Sequence, residues 1–205
     1  VVQNRMGIGD MVIFLPFIEA ISKNFGIPVS ILVKENSKAI QFLKENKAID
    51  EIIILDRGNK IKDGRHDGII GSYNLATDLK KYNFDKVFIF NSSLRFNLIA
   101  KIAGIKKIHQ YPLFNKKNQH IIDTAKDFMK KELNIETESN PQIFITDQSI
   151  KSSKLNYKIN SEEINILLGI GGSGSTKRIP SRIFISFMRL VTQKYKCKFF
   201  LATGK

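Results

Sequence analysis

Two glycine-bearing turns in this chain hold residue types that could do chemistry. The first is Arg5-Met6-Gly7-Ile8-Gly9-Asp10, in which an acid follows two glycines. Glycines let a backbone turn tightly and approach a ligand closely. Asp10 then falls at or next to the N-cap of a helix. There its carboxylate can satisfy free backbone N–H groups, or stand at a cleft as a general base. A dinucleotide fingerprint does not fit, because Val12 occupies its third glycine position and Lys34, not an acid, follows the next strand. The second turn is Gly169-Ile170-Gly171-Gly172-Ser173-Gly174-Ser175-Thr176-Lys177-Arg178-Ile179-Pro180. Free N–H groups, hydroxyls and a cation converging on a helix N-terminus make a phosphate cradle. Of the two cations Lys177 suits that task, whereas Arg178 can simply face water. Pro180 fits the first helical turn, where its missing N–H costs nothing. A P-loop is not the match, since Lys177 comes three residues after Gly174 instead of directly after a glycine. The bland alternative is a flexible Gly/Ser loop with solvated cations.

The elements that must position these turns alternate between strand and helix. Val1–Asn4 reads as a strand stub. Asp10 to Phe25 places Met11, Phe14, Leu15, Ile18 and Ile21 at helical spacing before Gly26 and Pro28 end it. Val29–Val33 and Glu51–Leu55 read as buried strands flanking a helix over Ser37–Asn46, and Asp56–Gly71 as a polar loop. A helix over Tyr73–Tyr82, a strand over Lys86–Phe90, a helix over Leu94–Ala103, a short strand at Lys107–Gln110 and a helix over Gln119–Leu133 follow. Continuous apolar strands alternating with helices imply a parallel sheet covered on both faces. Residues 147–163 are polar and read as a linker. Beyond them lie strand Ile164–Leu168, the second turn, helix Ser181–Tyr195 and strand Lys198–Ala202. One βαβ unit of this size cannot bury a core alone. The expected organisation is therefore a nearly complete α/β domain over 1–146, a linker over 147–163, and the truncated start of a second domain over 164–205. Without an initiator Met or a signal peptide, the chain reads as a piece of a longer, cytoplasmic protein.

Charge and composition narrow the partners. The 205 residues carry 33 Lys and Arg against 19 Asp and Glu, a net of +14, with 42% hydrophobic residues. That apolar share excludes wholesale disorder. Runs such as Met11–Phe14 and Ile52–Leu55 fall far short of the ~18 residues of a membrane span. Lone Cys197 excludes a disulfide framework or a cysteine zinc site. Residues 151–205 hold 11 Lys and Arg against 2 acids, so the positive excess gathers near the second turn. A basic surface favours phosphate-bearing partners, namely nucleic acid, sugar nucleotides or an anionic membrane face. A chain rich in Lys, Ile and Asn also acquires such a charge without selection for binding. His66, His109 and His120 have no ligand-like neighbours in sequence and read as surface or loop residues.

Taken together the motifs resemble a known family. Arg5-Met6-Gly7-Ile8-Gly9-Asp10-Met11-Val12 followed by Pro16 resembles the N-terminal motif of the heptosyltransferases of glycosyltransferase family 9, with one residue fewer between the glycines. Asn91-Ser92-Ser93-Leu94-Arg95, leading to Ala103-Gly104-Ile105, is similar to that family's stretch of Ser, apolar residue, cation and Ala-Gly helix end. Lys177-Arg178-Ile179-Pro180 is similar to its K-x-W-P motif, with Ile179 where Trp is common. The resemblance covers the whole chain in matching order. It implies two Rossmann-like domains of the GT-B type with the active site in the cleft between them. It also implies transfer of a sugar, usually heptose from an ADP-activated donor, onto a lipopolysaccharide-core acceptor. Asp10 matches the family's proposed base and Lys177 its donor-phosphate contact. Thr176, Ser175 and Gly174 lie beside that contact. Further donor-contacting segments of the family fall beyond Lys205, so the piece by itself is expected to be inactive.

Inverting transfer needs a carboxylate to take the acceptor hydroxyl proton and positive charge for the departing diphosphate. Asp10 and Lys177 supply one each, on domains that a closing motion would bring together. No Asp-x-Asp pair occurs in the chain, which disfavours a metal-assisted route; no metal and no cofactor are expected. On the acceptor side, Gly9, Ser93 and Arg95 stand where strands meet helices. Arg57 opens the basic loop Arg57–His66, which could hold acceptor phosphates or the headgroups of an anionic membrane. Two rivals remain: a P-loop-like phosphotransferase, and a non-enzymatic basic module that binds nucleic acid.

Overall fold

The computed structural model describes residues 1–3, 7–58, 62–113, 119–172 and 178–203. Two compact units divide the chain, residues 1–145 and 146–205. In the first unit, five parallel strands form one sheet: β1 (Val2–Gln3), β2 (Val29–Lys34), β3 (Ile49–Leu55), β4 (Lys86–Ile89) and β5 (Lys107–Gln110), in the order β3-β2-β1-β4-β5. The connecting helices are α1 (Ile8–Phe25), α2 (Ala39–Phe42), α3 (Gly68–Lys80) and α4 (Leu94–Ile102), and α5 (Ile121–Leu133) follows β5.

Alternation along the strands builds the two halves of the core. In β2, Ile31 and Val33 pack towards α1 and α2, and Leu32 packs towards α3 and α4. In β4, Val87 and Ile89 join the α3–α4 side, whereas Phe88 and the adjoining Phe90 join α1 and α5. Successive side chains of a strand point to opposite faces, so a continuous apolar run is what a sheet covered on both sides requires. On the α1–α5 face the filling is aromatic. Phe14 meets Phe90 edge-on at 5.3 Å, Phe90 meets Phe128 at 5.2 Å, and Tyr111 meets Phe128 at 5.1 Å. Such edge-to-face contacts suit the ring quadrupoles and fix the seat of α5.

The structure corrects two expected elements and adds a helix within a third stretch. In place of a helix over Ser37–Asn46 there is a 3-10 turn at Glu35–Ser37 and the four-residue α2. Lys38 between them has φ of +53°, which interrupts the helix, and the Ser37 hydroxyl bonds back to the Lys34 carbonyl at 2.6 Å. Helix α3 begins at Gly68, so the last residues of the supposed Asp56–Gly71 loop are helical. Within the stretch 147–163, read as a linker, lies helix α6 (Asp147–Asn156), capped where the Thr146 hydroxyl accepts from the Ser149 N–H at 3.3 Å.

The second unit contains α6, β6 (Ile164–Gly169), α7 (Ser181–Lys194) and β7 (Cys197–Ala202). β6 and β7 pair in parallel over six residues, with α7 as their crossover. None of its described residues is buried, as expected for a lone βαβ repeat with one covered sheet face.

Gly71, inside α3, shows how closely the turn before that helix is packed. A Cβ there would stand 2.3 Å from the backbone carbon of His66. Replacing an interior helical glycine by alanine normally stabilises by up to about 1 kcal/mol. Here the sign should reverse, with Gly71→Ala costing about 1–3 kcal/mol as backbone is forced apart. A urea titration of the variant checks it, and an unchanged or raised midpoint would contradict the close packing.

Candidate active site

The strand order reverses at β1. Chain leaving β1 enters α1 on one face of the sheet, and chain leaving β4 enters α4 on the other. The two connections diverge and leave a crevice outside the carboxyl ends of β1 and β4, where open α/β sheets take their ligands. Main-chain pairing holds these ends together, with Val2 opposite Ile89 and the Phe90 N–H donating to the Val2 carbonyl at 3.1 Å. The turn that carries Gly7, Gly9 and Asp10 thus follows β1, and the turn that carries Asn91, Ser93 and Arg95 follows its paired neighbour β4.

At the end of β1, Gly7 is the N-cap of α1 in extended geometry, and Asp10 is the third helical residue instead of the cap. The Gly7 N–H donates to Asp10 Oδ2 at 3.2 Å, the return half of a capping box. Apart from Gly9, its chain neighbours and the adjoining helix backbone, no atom of the described residues lies within 4 Å of where a Cβ on Gly9 would sit. Arg5 and Met6 of the motif lie outside the described residues.

At the end of β4, Asn91 Oδ1 accepts from the Ser93 N–H at 2.9 Å, a local turn that presents Ser93 as the N-cap of α4. Gln110, the last residue of β5, pins this turn from outside. Its Nε2 donates to the carbonyls of Asn91 at 3.1 Å and Ser93 at 2.9 Å, while its Oε1 accepts from Asn97 at 2.9 Å. The sequence reading missed Gln110 and Asn97. Their only signal was a polar residue ending a strand and another one turn into the helix that precedes it.

Arg95, in the first turn of α4, donates through Nη2 to the carbonyl of His66. Partial desolvation lowers its pKa, with Arg57 adding repulsion and Asp67 opposing both. An Arg cannot lose its proton at physiological pH, so a half-buried cation stands between the first turn of α4 and the β3–α3 loop.

The β3–α3 loop is held by its acids. Asp67 accepts from the Gly58 N–H at 2.6 Å and the Gly64 N–H at 2.7 Å and contacts the Arg57 guanidinium. Those backbone bonds hold its carboxyl below the ordinary range. Arg57, expected to meet an acceptor, is therefore also engaged within the loop. Asp78 receives Arg65 in two 3.0 Å bonds, His66 Nε2 at 3.1 Å and Lys81 at 3.2 Å. The bond from Arg65 is the largest cause that drives its pKa far below a normal carboxylate. His66, read as a surface or loop residue, lies in the loop but is 5% exposed. Its Nδ1 accepts the Asp56 N–H at 3.0 Å, which places the proton on Nε2, facing Asp78. His109 is half-buried as well, stacked on Phe88 at 4.6 Å and 2.8 Å from Glu132, while His120 caps α5.

In the second unit, Lys177, Thr176, Ser175 and Gly174 lie outside the described residues. The ends of their loop are described. The Ile170 N–H continues the strand ladder to the Ala202 carbonyl at 3.1 Å, and Arg178 Nε donates to the Gly172 carbonyl at 3.1 Å. Arg178, expected to face water alone, thus also closes the turn. Pro180 is the N-cap of α7, one position before the first helical residue. Among the described residues, no group of three or more His, Cys, Asp and Glu could hold a metal ion, and no helix is long and apolar enough to cross a membrane.

Nearly the whole chain superposes on glycosyltransferases of known structure. It matches the glycosyl transferase family 9 protein of Veillonella parvula with a TM-score of 0.70 at 19% identity, covering 99% of this chain and 68% of that one. It matches the ADP-heptose lipopolysaccharide heptosyltransferase II of E. coli with a TM-score of 0.65 at 15% identity, covering 98% of this chain and 62% of that one. A third match is an E. coli heptosyltransferase solved with ADP-2-deoxy-2-fluoro heptose, with a TM-score of 0.61 at 15% identity, covering 100% and 69%. The chain therefore has the fold of these transferases and spans about two thirds of the length of each. No family model and no curated protein matches it by sequence.

The Asp78 cluster makes a pH-dependent prediction. A carboxyl whose pKa is lowered by folding adds stability above its unfolded value, ~4, and loses it as pH falls towards the folded value. Asp78→Asn should therefore cost about 1–2 kcal/mol at pH 7. The gap to the parent should narrow steadily below about pH 4. Chemical denaturation of both proteins across pH measures this, and a gap independent of pH would show that the charge on Asp78 plays no part.

Proposed function

We propose that the protein is an inverting, metal-independent glycosyltransferase that moves a sugar from a nucleotide-diphosphate donor, of the ADP-heptose type, onto a lipopolysaccharide-core or related glycolipid acceptor. The observation that carries this is topological: Asp10 lies on the first turn of α1, which follows β1, and Ser93 and Arg95 open α4, which follows β4, the strand paired with β1 where the strand order reverses. The likeness in fold to family 9 and to heptosyltransferases supports it over nearly the whole chain. One E. coli neighbour is an ADP-heptose lipopolysaccharide heptosyltransferase, and another E. coli heptosyltransferase was solved with ADP-2-deoxy-2-fluoro heptose and with ADP.

In this mechanism the two units are the acceptor and donor lobes of a GT-B enzyme working at the cytoplasmic side of the membrane. Asp10 accepts the proton of the acceptor hydroxyl as that oxygen attacks the anomeric carbon and the bond to the diphosphate breaks. Gly9 leaves room for the acceptor to approach the helix end. Ser93 and Arg95 hold the acceptor's polar or anionic groups, and Arg57 adds positive charge from the β3–α3 loop. From the second unit, Lys177 with Thr176, Ser175 and Gly174 neutralises the departing diphosphate, so no metal ion is required for that charge.

In the full-length protein, Asp10→Asn should lower transfer by at least ~10²-fold, the usual scale for a general base, while donor affinity stays nearly constant. Full activity in that variant would reduce Asp10 to a helix cap. Gly9→Ala should leave stability within about 1 kcal/mol yet raise the acceptor KM. An unchanged KM would place the acceptor elsewhere. A thermal-shift screen with ADP-, UDP- and GDP-sugars, ATP with Mg²⁺, and duplex or single-stranded nucleic acid separates the classes, because a ligand of the native state raises the melting point. Stabilisation by a sugar nucleotide supports the transferase. Stabilisation by Mg-ATP alone or by nucleic acid alone would favour the phosphotransferase or the basic binding module.

A further inference from the structure

We propose that a gap inside the first unit's sheet, at its amino edge between β2 and β4, is the seat of a continuation of β1: two apolar residues in extended form, joined to the Val1 nitrogen by a peptide bond. The strand register defines the gap. Val2 lies opposite Leu32 of β2 and Ile89 of β4, and those strands start at Val29 and Lys86, each three residues earlier. Val1 takes the first of those three positions, so two remain with strand on both sides and none between. The Leu32 N–H donates to the Val1 carbonyl at 2.8 Å, and the Phe90 N–H to the Val2 carbonyl at 3.1 Å. By the alternation of a parallel ladder, the N–H groups of Ser30 and Phe88, two residues earlier, face the gap.

A cavity of about 320 Å³ occupies this place. Its lining comes from both sides of the sheet, with Ile21 and Phe25 of α1 on one and Leu79, Phe84 and Ile105 on the other. A pocket on one face of an unbroken sheet cannot touch both helical layers, whereas a break in the central strand lets it. Close-packed interiors do not leave an apolar hollow of this size without an occupant. The Val1 ammonium lines the same cavity, and its bond to the Ser30 carbonyl at 2.7 Å is the one that a peptide N–H of β1 would make. Desolvation lowers the pKa of that ammonium to about 5. Burying a charge there is costly, and a peptide N–H carries none. Alternation also selects the side chains. Val2 packs on the α3–α4 side and Val1 on the α1 side. The residue joined to Val1 therefore turns to Leu79, Phe84 and Ile105, and the one ahead of it to Ile21 and Phe25. Both positions call for aliphatic side chains. The charged residues of the lining, Asp50, Asp85 and Lys86, are exposed, so the strand meets water past these two positions. A continuation seated in this way holds β1 from the end opposite the Asp10 turn, whatever reaction the protein performs.

The test compares the chain starting at Val1 with two versions extended at that nitrogen, one by Leu-Ile and one by Asp-Ser. The Leu-Ile extension should raise the melting temperature by at least about 5 °C at pH 7, from two newly buried aliphatic side chains, and the Asp-Ser extension should not. Hydrogen exchange at the Ser30 and Phe88 N–H groups should slow at least about tenfold with Leu-Ile in place. A second readout is pH, because Asp50, Asp85 and Lys86 are common to all three proteins. An ammonium whose pKa falls on folding from 8.0 to about 5 leaves the unfolded chain holding the proton between those values. The chain starting at Val1 therefore loses stability as pH falls from 8 to 5, and its deficit against the Leu-Ile version should widen across that window. No stabilisation by Leu-Ile, equal stabilisation by Asp-Ser, unchanged exchange, or a deficit independent of pH would overturn the proposal. So would a dimer of the unextended chain, seen by light scattering and dispersed by the Leu-Ile extension, which would assign the gap to a strand of a second copy.

Discussion

The first unit depends on the main-chain pairing of its shortest strand. Val2 and Gln3 hydrogen-bond to β2 on one side, and Val2 pairs with β4 on the other, so two residues join the halves of the sheet. Because successive strands are added outward in opposite directions from β1, the turns after β1 and β4 part to opposite faces. The crevice follows from topology and not from any particular side chain. The alternation within β2 and β4 then distributes apolar residues to both helical layers, which anchors the helices whose first turns line that crevice.

Polar contacts carry out the finer positioning. Few apolar side chains are available at a sheet edge, and every backbone group withdrawn from water there needs a partner. Gln110 bridges the turn after β4, and Asp67 gathers the backbone of the β3–α3 loop. Asp78 holds Arg65 and His66, and the carbonyl of His66 in turn receives Arg95. Placement of the Arg95 cation thus depends on a chain of bonds that begins more than a turn into α3. The likeness in fold to family 9 places the chain among glycosyltransferase architectures, while the chemistry rests on the residues themselves.

The residues that misled the sequence reading share a cause. The apolar spacing in 37–46 is helical, but Lys38 in the left-handed region and the Ser37 hydroxyl bonding Lys34 cut the helix to four residues. Within 147–163, read from its polar composition as a linker, the Thr146 hydroxyl caps α6, a helix that composition did not signal. His66 is polar and sits in a loop, but its burial follows from Asp78, twelve residues away and one helix further on. In each case a local side-chain bond or a distant partner outweighed composition.

Hydrophobic periodicity alone determined the strand–helix alternation, the parallel doubly covered sheet and the two glycine-bearing turns with Asp10 in the first. These depend on neighbours within a few residues along the chain, which a sequence displays directly. Only the tertiary structure decided that the end of β1 lies beside the end of β4 and that Arg95 answers to His66. It also decided that Gln110 secures the turn at Ser93 and that a cavity at the amino edge of β1 reaches both helical layers. Those relations join residues far apart in sequence, and their free energy exists only once the sheet has brought them within hydrogen-bonding or van der Waals range.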